Sequence, residues 1–237
     1  MNNNTGALIL GFFVCAGLII GGFFIGDGFF KAKSSERFVS VRGLSERELP
    51  ADLVIWPIVF KEAGNDLNAI HKKISDNRGS IKKFLTDSGF KPEDISESVP
   101  QITDFIAEQS TRGDAPPNAR YMAKASITLR TVDVALAKKA MEQSVDLVSK
   151  GIVITQDYEQ NTEYLFTSLN KIKPEMIAEA TQNARKTAEQ FARDSGSSVG
   201  SIRQAQQGLF TIENRDINTP EFKRIRVVTT VDYYLAK

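Results

Sequence analysis

Pro174 to Ile202, PEMIAEATQNARKTAEQFARDSGSSVGSI, reads as one helix, a glycine stop and the start of a strand. Pro174 suits a first helical turn, where its missing N–H is not needed. Gly196 stands where a left-handed C-terminal cap belongs. Stepping about 100° per residue from Ile177 brings Ala180, Ala184, Ala188, Phe191 and Ala192 within roughly 60° of it. Glu179, Gln182, Lys186, Glu189 and Arg193 fall on the opposite side. A narrow face made mostly of alanine predicts a helix that lies flat and close on a sheet.

The flanking sequence supplies that sheet. Downstream, Ser201–Ile212 is a predicted strand, and Arg224–Leu235 a longer one. In the second, Ile225, Val227, Val231, Tyr233 and Leu235 share a face, opposite Arg224, Arg226, Thr230 and Asp232. Upstream, Phe38–Arg42 and Leu53–Lys61 read as strands. Pro57 predicts an edge or a bulge in the second of them. A helix follows from Gly64 to about Ser88, with Leu67, Ile70, Ile74, Ile81, Phe84 and Leu85 on its apolar stripe and Gly89 ending it. Asp94–Ala107 is a predicted strand interrupted near Pro100, and Thr111–Asn118 a hairpin loop. Tyr121–Arg130 alternates, with Ala123, Ala125, Ile127 and Leu129 on one side. Asp133 is the predicted N-cap of a helix reaching Ser149. Ile152–Thr155 and Tyr164–Leu169 are short extended runs. The order β-β-α-β-β-α-β-α-β-β argues for an α+β fold, a largely antiparallel sheet with helices packed on it.

Before this region lies Ala7–Gly26, ALILGFFVCAGLIIGGFFIG, which carries no charge and has the roughly 20 residues needed to span a bilayer. The organisation expected is a tail over 1–6, a transmembrane anchor over 7–26, a juxtamembrane linker over 27–37 and a globular domain over 38–237. A cleaved signal peptide is the alternative; Met1–Gly6 holds no Lys or Arg, and no A-x-A site follows. Gly17 and Gly21, and Gly22 and Gly26, are spaced to bring two such helices together. Lys31, Lys33, Arg37 and Arg42 follow the span, which by the positive-inside rule leans toward a cytoplasmic C-terminal domain.

Composition limits the chemistry. Lys plus Arg number 30 against 29 Asp plus Glu, so nothing points to nucleic acid. Cys15, the single cysteine, lies in the apolar segment, so the rest of the chain holds no thiol. That suits an oxidising compartment. His71 is the single histidine and falls beside Lys72 and Lys73. No histidine–cysteine zinc set is available. No G-x-S-x-G elbow, P-loop or G-x-G-x-x-G occurs. Glu62 with Asp66, and Asp94 with Glu97, are weak carboxylate pairs. Lys72, Lys73, Arg78, Lys82 and Lys83 lie off the first helix's apolar stripe and are read as a solvated face or a lipid-headgroup contact. No catalytic residue, metal ligand or cofactor site is expected.

Taken together, the segments resemble the SIMPL-domain (YggE-like) family of exported, oxidative-stress-linked bacterial proteins. The likeness runs from about Phe38 to Leu235. It rests on Val41-Arg42-Gly43, Pro50-Ala51-Asp52-Leu53, Leu85 to Ile95 (LTDSGFKPEDI), Tyr121 to Ala125 (YMAKA) and Val132-Asp133. The last marker is the series Ala180, Ala184-Arg185, Ala188, Ala192, Gly196, Gly200 and Ile202. The resemblance implies an α+β fold, a location outside the cytoplasm and self-assembly into a homo-oligomer. It supplies no catalytic residue to carry over. The chain differs from typical members in keeping an apolar anchor and in Pro57-Ile-Val-Phe-Lys61.

The expectation is a single-pass protein of the bacterial inner membrane with its C-terminal domain in the periplasm. It would act through self-association or an envelope protein partner in oxidative-stress defence, not by catalysis. The alternatives are a small-molecule binder or enzyme with a pocket between sheet and helices, and a scaffold on the cytoplasmic side.

Overall fold

The computed structural model describes residues 3–34, 37–109, 118–155 and 160–236. The predicted hairpin loop at Thr111–Asn118 falls almost wholly outside them. The chain opens with helix α1 (Asn3–Ser34), whose window Gly11–Gly28 is long and apolar enough to cross a membrane. At 1.5 Å per residue α1 is about 48 Å long, more than the roughly 30 Å of bilayer hydrocarbon. The remainder is α+β with antiparallel sheets. The chain, α1 included, divides into two compact units, one of 1–46, 174–210 and 226–237, the other of 47–173 and 211–225.

The second unit is built on β2 (Leu53–Gly64) and β5 (Tyr121–Thr131), paired antiparallel without a break from Val54↔Thr131 to Gly64↔Tyr121. Their shared inner face, including Trp56, Ile58, Ile127 and Leu129, is buried under α2 (Leu67–Asp87), α4 (Val134–Gln143) and α5 (Val145–Ser149). Ile70, Ile74, Ile81 and Leu85 of α2 are buried as its period predicts, while Leu67 is exposed. Asp66 caps α2 by accepting from the Asn68 N–H, and Gly89 follows it at φ +99°. Asp133 caps α4 by accepting from the Leu136 N–H, a contact of about 1 kcal/mol. The helix predicted through Ser149 breaks at Ser144, whose hydroxyl donates back to the Met141 carbonyl.

Pro57 lies inside the sheet, not along an open edge. On the side of β2 away from β5, β7 (Glu163–Leu165) pairs with Leu53–Ile55 and β6 (Ile154–Thr155) with Val59–Phe60. Pro57 falls between them, where its missing N–H breaks no ladder. The strand predicted over Asp94–Ala107 is instead a 3-10 turn at Pro92–Asp94, β3 (Ile95–Glu97), β4 (Gln101–Asp104) and the short helix α3 (Phe105–Gln109). Pro100 separates the two strands, and both pair with β5.

The other sheet has four strands in the order β1 (Phe38–Pro50), β10 (Phe222–Ala236) and β8 (Ser198–Gln207), with β9 (Thr211–Asn214) also on β10. β1 is far longer than the predicted Phe38–Arg42. Its buried positions continue through Val41, Gly43 and Ser45, and the last two carry no apolar signal. The single strand predicted over Ser201–Ile212 divides at Gly208. An added Cβ there would stand 2.5 Å from the Val228 carbonyl oxygen.

Helix α6 (Leu169–Asp194) starts five residues before Pro174, so Pro174 lies inside it and not in the first turn. Pro174 is exposed, and its missing N–H leaves one i→i−4 bond of the helix unmade. Beyond Pro174, Met176, Ala180, Ala184, Ala188 and Ala192 are buried, and Ala184 and Ala188 pack on Val41, Val231 and Tyr233. Phe191, predicted on the alanine face, is instead 57% exposed. The face against the sheet is only as wide as its alanines, and a phenylalanine ring has no room in it. Gly196 takes φ +63° as expected, and the Ser197 N–H closes the cap on the Ala192 carbonyl.

Candidate functional site

The segments that mark the chain are occupied with structure. Gly43 of β1 lies against the backbone of α6. The Asp52 carboxylate accepts from the Thr167 N–H at 2.6 Å, the Thr167 hydroxyl at 3.0 Å and the Ser168 N–H at 2.8 Å, just before α6 begins. Burial alone would raise the Asp52 pKa, but these bonds from Thr167 and Ser168 outweigh it and hold the carboxyl below its usual range.

The residues with chemical potential do not converge. His71 is exposed on α2, and so are Lys72 and Lys73. Of the carboxylate pairs, Asp66 is an N-cap, and Glu62 accepts from the Asn77 side-chain amide and faces Lys73 at 3.8 Å. Glu97 accepts from Lys82 at 2.7 Å, with Arg78 at 3.8 Å, and its pKa is lowered first by the Lys82 hydrogen bond. Lys83 pairs with Asp87. The cationic set on α2 is therefore largely matched by acids, which weakens its pull on an anionic lipid surface. Among the described residues no group of three or more His, Cys, Asp or Glu is placed to hold a metal.

Gly17, Gly21, Gly22 and Gly26 all lie on α1, with open space where a Cβ would stand. Gly17 with Gly21 and Gly22 with Gly26 form two separate i,i+4 pairs, about 140° apart around the helix. None of the apolar window is buried by the other described residues.

Among the clefts that open on the second unit, two are the larger. One, of about 460 Å³, is lined by residues including Ile55, Pro57, Ser98, Ser126, Gln160 and Glu163. Ser98 there accepts from the Ser126 N–H at 2.8 Å, and the side-chain oxygen Oε1 of Gln160 is buried with no hydrogen-bond partner among the described residues. The other, of about 350 Å³, brings Leu53, Lys91, Asp94, Arg130 and Asp133 together at the ends of β2 and β5. It draws on three separate marker segments, which nothing in their sequence spacing announces.

Two features escape a reading of the sequence. Lys223 is buried, with its ammonium donating to the Asn214 side-chain carbonyl, and burial pushes its pKa down. It occupies an inward position of β10, two residues before the buried Ile225, and the alternation of that strand is the one signal of it. The second feature is β8. It pairs with β10 on one side, and from Ser201 to Gln207 it is exposed on both faces.

A model of the SIMPL family, described as a protein of unknown function (DUF541), matches residues 39–226. No curated protein matches the chain.

Proposed function

The chain belongs to the SIMPL family, and on that premise we propose that it is a membrane-anchored protein whose globular part faces the periplasm and works by association. Its partners are further copies of itself or an envelope protein, and its setting is defence against oxidative stress. The observation that carries this reading is the apolar window of α1, none of which is buried by the other described residues. Such a surface is stable in lipid and not in water. The confinement of Cys15 to α1 supports an oxidising compartment for the rest. The marker residues Gly43, Asp52 and Asp133 are explained by packing and capping, which favours a surface over a catalytic centre.

Light scattering on the full chain in detergent, with crosslinking in intact envelopes, tests the reading. A mass of more than one copy, or a specific crosslinked partner, is expected. A monomer at high concentration that crosslinks to nothing overturns it.

One observation favours a second reading. The cleft of about 350 Å³ gathers marker residues beside Lys91 and Arg130, as a small-molecule site would. Native mass spectrometry of the full chain distinguishes it. A small molecule that co-purifies and is lost in Arg130→Ala supports it, and none bound counts against it.

A further inference from the structure

We propose that the outer edge of β8 pairs antiparallel with β8 of a second copy, joining two sheets into one. The inference rests on the associative reading above and names the surface that serves it.

The two edges of the β1–β10–β8 sheet are made differently. Strands on open edges are commonly protected by charge and proline. β1 carries Arg42, Glu46, Arg47 and Glu48 and ends in Pro50. β8, Ser-Val-Gly-Ser-Ile-Arg-Gln-Ala-Gln-Gln, has one charged residue and no proline. That charge, Arg203, is stacked over the Phe38 ring at 4.2 Å. The register against β10 skips at Arg203 and again between Ile202 and Val199, so the N-terminal half of β8 is bulged. From Gln204 to Gln207 the pairing is regular, Gln204↔Asp232 through Gln207↔Thr229. This run presents backbone N–H and C=O groups outward, with uncharged side chains around them.

A second copy fits this edge best. Turned about a two-fold axis, a strand edge matches its own donors to its own acceptors. Two uncharged edges meet without repulsion, while a strongly charged partner strand would find no counter-charges along Gln204–Gln207. In a membrane, α1 would hold copies in one plane and raise their local concentration. The exposure of Ile202, 49%, gives the pairing an apolar contact beside the hydrogen bonds.

The test compares the full chain in detergent with its Gln204→Lys/Gln206→Lys variant by light scattering. Both positions are exposed, so the thermal midpoint is expected to hold while the mass falls to that of one copy. A parallel set in a Cys15→Ser background places single cysteines at Gln204, Ala205, Gln206 and Gln207. A disulfide-linked dimer is expected at one or two of these positions. An oligomer that survives the lysines and forms no disulfide at any of the four positions overturns the edge but leaves self-association standing. A wild-type chain that is monomeric, including one that captures a foreign strand only, overturns both.

Discussion

Gly43 on β1 and Ala180 on α6 meet backbone to backbone: a Cβ on Gly43 would stand 1.8 Å from the Ala180 carbonyl oxygen and 2.5 Å from the Ala184 amide nitrogen. No side chain fits between them. The contact explains why the glycine of Val41-Arg42-Gly43 accompanies an alanine helix more than a hundred residues away. It is reinforced on either side, where Ser45 donates to Glu179 at 2.9 Å and Asn183 donates to the Leu44 carbonyl at 2.9 Å.

Gly43→Ala is therefore expected to destabilise the protein by about 3 kcal/mol or more, since backbone must move to admit a methyl group. Gly79→Ala is the matched control. Gly79 lies in the middle of α2 with open space around it, and alanine there is expected to add about 0.5–1 kcal/mol. Urea denaturation of the two variants should move in opposite directions.

Asp52 joins the start of β2 to the segment that begins α6. Asp52→Ala is expected to cost about 1–2 kcal/mol, as for loss of a good helix cap. Because the folded-state pKa lies below the unfolded value of about 3.9, the contribution of the carboxylate is complete above that pH and disappears as pH falls through the folded value. Asp52→Asn should flatten this acid limb in a plot of stability against pH.

Lys223 contributes in the opposite sense. Burial lowers its folded-state pKa, so the unfolded chain binds more protons in the window between that value and about 10.4. Stability from this group rises with pH across that window. Lys223→Met should remove the rise and stabilise the fold at neutral pH by on the order of 1 kcal/mol, because Asn214 is exposed and water replaces the lost donor. Thermal unfolding at neutral and alkaline pH measures both effects.

Much of this architecture was legible where burial writes a period. The inner faces of α2, β5 and β10 followed their apolar spacing, and Gly89 and Gly196 marked helix ends through positive φ. Other features left no such trace. The second half of β1 is buried through Gly43 and Ser45, whose small size suits the contact with α6 but mimics a loop. Pro57 suggested an edge because the gap between β6 and β7 depends on residues a hundred positions downstream. Phe191 fell on the alanine face by angle alone, which ignores the width of that face. The clefts and the open edge of β8 are products of topology. Of the candidate site residues, the glycines of α1 share one helix, and a second helix against them is read from their spacing alone.

The most direct measurement is the side of the membrane on which Lys237 ends. Lys31, Lys33, Arg37 and Arg42 after the span favour the cytoplasm by charge, whereas the confinement of the single thiol to α1 suits an oxidising compartment, the side that the proposed function takes. Alkaline phosphatase fused after Lys237 should be active in the membrane fraction and resist carbonate extraction. An inactive fusion, with a fluorescent protein at the same position bright in the cytoplasm, would contradict the account.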